Sequence, residues 1–383
     1  MRVLYLSEVQ WRSQVSRKHL MIRRFPETWS TLFLSPMNAR ASENSLGLRH
    51  DERWSGVSYR TIPHAKPDST IGVVRAMTPA LARWGRRRIA AEARAFEPDA
   101  AVISFIWAAP SIGDLHGLGI PVLYDCNDLH YRFYPPRGGQ TRERFGETVR
   151  WADEVVCSSE YLAEVCGRGT VIGNGVDLET FTGRLDVARP ERIAGSALSD
   201  CVDLVSYVGS IDERIDFGML EAVVGALADR DPRSGLVCVG RIFESARRAK
   251  EDLERRYPGH VLFTGRVPYE ELPRYLSHTR VGVAPFVLTE KTKAINPNKL
   301  YVYAAMEQGI VSTPFSPEVR SHEDLVRIAT EPDGFAAAVT EALGDDERRR
   351  AVRERIALPN SWNVKTSEFV SLLADLAERG YSG

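Results

Sequence analysis

The stretch 296–313 holds the residues best suited to chemistry. It opens polar with Asn296, Pro297, Asn298 and Lys299, runs through helix-compatible residues that include Tyr303, and ends in apolar Ile310 and Val311. The pattern is loop, helix, strand. Pro297 suits a helix start, because its fixed φ is tolerated there, and Asn296 or Asn298 is expected to cap the first amides. Unpaired N–H groups and the positive end of the helix dipole then lie beside the Lys299 ammonium, a combination suited to a phosphate. An ordinary helix with a solvent-facing lysine fits the same residues. Two further groups stand where ligand chemistry is expected. Val208, Gly209 and Ser210 put a glycine at a strand end, where bare backbone can approach a phosphate closely. Asp125 and Asp128 follow the apolar run 121–124, and in open α/β sheets ligands gather at the carboxyl ends of strands.

Positioning these groups takes a series of buried parallel strands. Short apolar runs bounded by polar, Gly or Pro residues predict strands at 2–7, 31–35, 57–62 and 100–105, a strand running into the two carboxylates over 121–129 and a helix end followed by a strand over 151–159 in the first half, and strands at 202–208, 235–239, 260–263 and 281–286 in the second. Between them, helical patterns fall at 73–96, 219–229, 246–257 and 270–277, with an amphipathic tail at 362–376. In helix 73–96, Met77, Leu81 and Trp84 share one face while Arg83, Arg86, Arg87, Arg88 and Arg94 crowd the rest. That helix either packs on the sheet with a solvated basic side or touches anionic lipid. Repeated βα alternation implies parallel sheets covered on both faces. The loop after the first strand carries no Gly-x-Gly-x-x-Gly, which removes the main signature of a nicotinamide-dinucleotide enzyme.

At 383 residues the chain is long for one core, so two domains are expected. Its 43% hydrophobic and 26% charged content is that of a soluble globular protein. The net charge of −1 hides a modest asymmetry, with 23 basic against 19 acidic residues over 1–177 and 27 against 32 thereafter. A first half that meets something anionic and a merely solvated basic surface both fit. The five cysteines, at 126, 157, 166, 201 and 238, have no C-x-x-C spacing, which argues for a reducing compartment and against a disulfide frame or a zinc site. No apolar run reaches the roughly 18 residues of a spanning helix, and residues 1–6 read as a strand rather than a leader, so a cytoplasmic protein is expected, with room for contact at the inner face of the membrane.

Residues 297–311 resemble the donor-binding segment of GT-B glycosyltransferases, whose usual form is Pro-x-Lys-Leu-x-Glu-Tyr-x-Ala-x-Gly-x-Pro-Val-Val. Pro297, Lys299, Leu300, Tyr303 and Val311 match it. Val302 stands where the family has the glutamate that holds the nucleotide ribose, Glu307 replaces a glycine and Gly309 replaces the proline. The resemblance implies an α/β chain with two Rossmann-like domains facing across a cleft and a C-terminal helix crossing back. The expected division is 1–175 for the acceptor, 176–200 as linker (its core 184–200), 201–360 for the nucleotide sugar, and 361–383 as the returning helix.

The same resemblance assigns roles. Donor contacts fall on Gly209, Ser210, Asn298, Lys299 and Tyr303, and on Arg266 and Val267 within a Thr-Gly-Arg-Val-Pro segment similar to one that contacts the nucleobase. Ser210 occupies the place of a family arginine, so Arg214 or Arg241 is expected to supply the second positive charge. Trp11, Arg17 and His19, after the first strand, are the acceptor-side candidates. The Asp-x-x-Asp at 125–128 resembles the teichuronic-acid type and, more distantly, the xanthan glucuronosyltransferase, which makes Asp128 a general base and Asp125 its support. No Asp-x-Asp metal box is recognised beside these residues, so catalysis without a metal is expected.

The implied activity is transfer of a sugar from a nucleoside diphosphate, UDP favoured over GDP or dTDP, to a glycan, lipid-linked or natural-product hydroxyl, with no cofactor and no nucleic-acid partner, by a monomer or weak dimer. A sugar-nucleotide epimerase and a non-catalytic sugar-nucleotide binding protein are the competing readings, the second favoured by the departures at Val302 and Ser210.

Overall fold

The structure, a computed structural model, describes residues 1–12, 15–37, 44–54, 56–63, 72–132, 138–183 and 185–381, with backbone alone over 72–79 and 138–140. Met77 and Arg184, both used in the sequence reading, fall outside the described side chains and residues. The chain forms two compact units, Met1–Gly173 with Asn363–Gly383, and Asn174–Trp362.

Among the described residues, the first unit is an eight-stranded sheet of β1 (Arg2–Leu6), β2 (Ser30–Pro36), β3 (Arg49–His50), β4 (Val57–Ile62), β5 (Ala100–Ile103), β6 (Val122–Cys126), β7 (Glu154–Cys157) and β8 (Thr170–Val171). Its order is β3-β4-β2-β1-β5-β6-β7-β8, parallel except for the short edge strand β3. β1, β5 and β6 are apolar almost throughout because helices cover both faces, which is why they read as continuous runs rather than alternations. Helix Gly72–Phe96 is present, but its packed side is Ile89, Ala90 and Ala93, whereas Trp84 is 57% exposed. The last helix, Trp362–Arg379, belongs with this unit from Asn363 onward, where Arg24 donates to the Asn363 side chain and Phe25 stacks on Phe369.

The second unit is a six-stranded parallel sheet of β9 (Asp203–Val208), β10 (Ser234–Val239), β11 (Val261–Gly265), β12 (Val281–Ala284), β13 (Gly309–Ser312) and β14 (Arg327–Ile328), in the order β11-β10-β9-β12-β13-β14. Residues 176–200, expected as a linker, are part of this unit. Val176, Phe181, Ile193 and Leu198 are buried, and Val176 exchanges backbone hydrogen bonds with Asn360 and Trp362. Pro190 and Gly195 begin and end a one-turn helix, Glu191–Ala194, rather than loosening the chain. No helix among the described residues is long and apolar enough to cross a membrane.

Candidate functional site

In the second sheet the strand order reverses between β9 and β12, and ligands of open α/β sheets favour such switch points. β9 and β12 pair only at Val205 with Val281 and Ser206 with Gly282. Beyond that rung they separate, and Tyr303 fills the gap from helix Asn298–Ala305. Its hydroxyl accepts from the Val208 amide at 2.8 Å and donates to the Val283 carbonyl at 3.2 Å. Tyr303 is fully buried, so it corrects the expectation of a donor contact: it is a strut beneath the site.

Lys299 lies on the same helix, over two aromatic rings. Its Nζ is 3.8 Å from the Phe286 ring centroid and 4.3 Å from that of Tyr207. It donates to the Tyr207 hydroxyl at 3.1 Å, which in turn donates to the Ser210 carbonyl at 2.7 Å. No other acceptor for this ammonium occurs among the described residues. Burial holds the Lys299 pKa well below the ordinary ammonium range, the Arg214 guanidinium adds to that, and Asp212 opposes it. The helix itself starts at Pro297 without a side-chain cap. Asn296 does not cap it, as it faces Asn174, whose amide and side chain donate to it. Asn298 is exposed at the first helical position, and while the Leu300 amide donates to the Pro297 carbonyl, the Asn298 and Lys299 amides have no side-chain cap.

Bare backbone lies on one side of this ammonium. Gly209 follows β9 with φ +130°, and any Cβ there would stand 3.6 Å from Lys299 Nζ. Its amide already donates to the Val239 carbonyl, so what Gly209 offers beside the ammonium is space rather than a donor, and the Ser210 carbonyl is taken by the Tyr207 hydroxyl. Gly240, ending the neighbouring strand at φ +157°, approaches so closely that a Cβ would fall 1.8 Å from the Gly209 carbonyl oxygen. Of the cations expected nearby, Arg214 is held by both oxygens of Asp212, at 2.8 and 2.5 Å. Arg241 is exposed and stacks on Phe243 at 4.7 Å, and Arg266 is exposed as well. Val267 packs beside the small cluster of Ile193, Leu204 and Tyr275. The chain does contain one Asp-x-Asp, Asp229-Arg230-Asp231, at the end of helix Phe217–Arg230, where Asp231 receives the Arg233 amide. It is a helix-end turn and lies outside the strand-end group just described.

In the first sheet the order reverses at β1, between β2 and β5. Glu8 follows β1 and Ser104 follows β5, and Ser104 donates to the Glu8 carboxylate across the switch at 3.1 Å. Lys18, 3% exposed, donates to the other Glu8 oxygen. Burial pushes the Glu8 carboxyl up, but the Lys18 ammonium, with His130 adding at the low pH where it is charged, outweighs it and holds the carboxyl below the usual range. His130 is pushed down to about 4 by burial, against the pull of the Glu8 carboxylate, so it is neutral near pH 7. Its Nδ1 lies 3.3 Å from the Tyr124 hydroxyl. These four residues were not singled out as site residues from sequence, although the strand-end rule that selected Asp125 applies equally to Glu8 and Ser104.

Asp128 is half-buried in the turn after β6, with Oδ1 accepting the Leu129 amide at 2.9 Å. Asp125 differs. It is 0% exposed and accepts from Arg17 Nε and the Tyr5 hydroxyl, each at 3.2 Å. Arg17, 5% exposed, also donates to the carbonyls of Gly173 at 2.7 Å and Ile172 at 2.8 Å. This buried pair ties β6 to the end of the first unit's continuous segment, which corrects both the support role of Asp125 and the acceptor-side role of Arg17. Trp11 and His19 are likewise buried. Trp11 donates to Asp51 at 2.7 Å and packs edge-on to Phe33. His19 sits between Ser16 and the Gln10 carbonyl, and burial, with Arg23 adding, pushes it down to about 4. Replacing Asp125 with Asn should strand the Arg17 charge and destabilise the fold by roughly 3–5 kcal/mol, whereas Asp125→Leu combined with Arg17→Met should recover only part of that, because the Ile172 and Gly173 carbonyls and the Tyr5 hydroxyl lose their partners. Urea unfolding of the two variants measures the difference, and an Asp125→Asn midpoint equal to wild type would contradict the pairing.

A surface cavity of about 760 Å³ in the first unit is lined by Arg86, His116, Arg144, Trp151 and Tyr381 among others, and by none of the candidate residues.

No protein-family model matches the chain. A Bacillus subtilis (strain 168) protein, TuaH, provisionally named a teichuronic acid biosynthesis glycosyltransferase, is 26% identical over 263 residues. That match covers 63% of this chain and 64% of the relative, just under two thirds of its length. Among solved structures, the sucrose-phosphate synthase of Thermosynechococcus elongatus is 16% identical with a TM-score of 0.73, covering 99% of both chains. An E. coli trehalose-6-phosphate protein bound with UDP-2-fluoro glucose is 13% identical with a TM-score of 0.70, covering 99% of both. Anabaena HepE in complex with UDP is 13% identical with a TM-score of 0.66, covering 98% of this chain and 100% of that one. With two parallel α/β units in the strand orders given above and whole-length likeness to these proteins, the chain has the GT-B glycosyltransferase fold.

Proposed function

We propose that the chain is a glycosyltransferase that moves the sugar of a UDP-sugar to an acceptor hydroxyl without a metal ion. The observation that carries this reading is the Lys299 ammonium, set on Tyr207 and Phe286 at a switch point with donors to spare and uncapped helix amides beside it. Such a group is aimed at the charge that develops on a departing diphosphate. UDP is favoured because two solved structures of the same fold carry UDP or a UDP-sugar. The teichuronic acid role named for TuaH favours a glycan or lipid-linked glycan as acceptor.

In this mechanism Lys299 and the amides of Asn298 and Lys299 receive the diphosphate, and Gly209 gives it room. Arg241 supplies the second positive charge in preference to Arg214, whose guanidinium is already matched by Asp212. Arg266 and Val267 border the base, and Asp128 takes the acceptor proton. The test is calorimetry with UDP, GDP and dTDP, followed by turnover of the matching sugar nucleotides with and without glycan acceptors. UDP binding and acceptor-dependent UDP release are expected. Release without acceptor would favour an epimerase, binding without any turnover a non-catalytic protein, and no UDP binding would overturn the reading.

A further inference from the structure

We propose that Cys126, Cys157 and Cys166 form a site in the first unit for one thiophilic metal ion of the Zn²⁺ type. The sequence spacing argued against such a site, but the topology brings the three thiols together. Cys126 ends β6, Cys157 ends β7, and the two are register partners on adjacent parallel strands, so their side chains leave the sheet on the same face. Cys166 is the last residue of helix Glu160–Cys166, which starts at Ser159 just beyond β7, capped by its hydroxyl, and stops at Gly167 in the left-handed region. That single short helix returns Cys166 over the two strand ends.

All three Sγ atoms lie within 4.8 Å of one another, and those of Cys126 and Cys166 are 3.9 Å apart. A tetrahedral ion with metal–sulfur bonds of about 2.3 Å needs its sulfurs roughly 3.8 Å apart, so closure asks for movements of about an ångström or less. Two of the ligands are buried and Cys166 is half-buried, which leaves a route for the ion and a fourth position for water. A disulfide uses two sulfurs and gives no reason for a third to converge. Zn²⁺ with three thiolates leaves one net negative charge, and the Arg168 guanidinium, held by the Ala152 and Asp153 carbonyls, is the neighbouring cation. On binding, the protons that the three sulfurs still carry pass to the buffer and no electrons move. The ion would fix the end of β6 from which Asp128 is presented, because Cys126 lies between Asp125 and Asp128. Cys201 and Cys238 are buried in the second unit, outside the cluster, and serve as internal controls.

The test uses the full chain, purified under reductant, loaded with Zn²⁺ or Co²⁺ and dialysed. One ion per chain by mass spectrometry, and a thiolate-to-cobalt charge-transfer band with Co²⁺, are expected. Cys166→Ser should weaken Zn²⁺ binding by at least about tenfold and remove the band, and Cys238→Ser should change neither. Cys166 is half-buried, so this variant should fold even where Cys157→Ser does not, and circular dichroism checks that it has. Native iodoacetamide labelling of Cys166 should be blocked by Zn²⁺. Sub-stoichiometric metal with no cobalt band, binding retained in Cys166→Ser, or a Cys126–Cys166 disulfide found by mass in the reductant-free protein would each overturn the proposal.

Discussion

Lys299→Met is expected to lower kcat/KM for the UDP-sugar by roughly 10³-fold, while thermal unfolding stays at or slightly above the wild-type midpoint. The rate effect follows from removing the donor aimed at the leaving diphosphate, a class of change worth about 10²–10³. The stability effect follows from the empty site. The ammonium there is desolvated and stands near Arg214, and it has only the two ring faces, the Tyr207 hydroxyl and the more distant Asp212 in return. Methionine keeps the contact with Tyr207 and Phe286 and removes the unfavourable charge. The pH dependence has a definite sign. Empty, Lys299 has a depressed pKa; a bound diphosphate favours the charged form and raises it. Between the two values, binding takes up one proton, so the UDP affinity constant falls by up to tenfold per pH unit as pH rises and is flat below the lower value. The slope should vanish in Lys299→Met. Calorimetry in buffers of different ionisation enthalpy reads the proton uptake directly. A variant that binds UDP within twofold of wild type, with the same slope, would remove Lys299 from the site.

Much of this architecture was legible beforehand, and the limits of that legibility have a physical basis. Strands buried on both faces are written as largely apolar runs, so β1, β9 and β10 could be bounded to within a residue or so, and β4, which alternates buried and half-buried residues, through that alternation. Helix Asn298–Ala305 announced itself through Pro297 and the polar residues before it. What could not be read was which polar residues close on one another from far along the chain. Arg17 meets Asp125 and the carbonyls of Ile172 and Gly173, more than a hundred residues away, so a residue expected on the acceptor side is half of a buried ion pair. Tyr303 matched a ligand-binding motif, yet its hydroxyl is used where β9 and β12 separate, a feature of strand geometry rather than of local sequence. The cysteines show the same gap from the other side. Spacing along the chain is irregular, while register between β6 and β7 is exact enough to align two of them. Residues 176–200 were misassigned because Pro190 and Gly195 signal a break in the chain but not whether Phe181 and Ile193 are buried around it.

Asp128→Asn is expected to reduce kcat by about 10² or more, the contribution of a positioned general base, with UDP affinity near wild type and stability within about 0.5 kcal/mol. Asparagine has the same shape and its side-chain oxygen can still accept the Leu129 amide, so the turn after β6 is preserved. What it cannot do is take a proton from an acceptor hydroxyl. The groups assigned to UDP belong to the second unit and Asp128 to the first, so donor affinity should be indifferent to the change. The adjacent carboxylate supplies the contrast. Asp125→Asn should move the unfolding midpoint, because it uncouples Arg17, while any loss of activity should track the loss of folded protein and be restored by cooling. Turnover unimpaired in folded Asp128→Asn would remove the assignment and pass the role to His130. Its imidazole is neutral near pH 7 and so able to accept a proton, whereas the Glu8 carboxylate is already engaged by Lys18 and Ser104. Folded His130→Gln, assayed beside Asp128→Asn with the same UDP-sugar, separates the two: only the variant that has lost the base should lose kcat while keeping its KM for the donor.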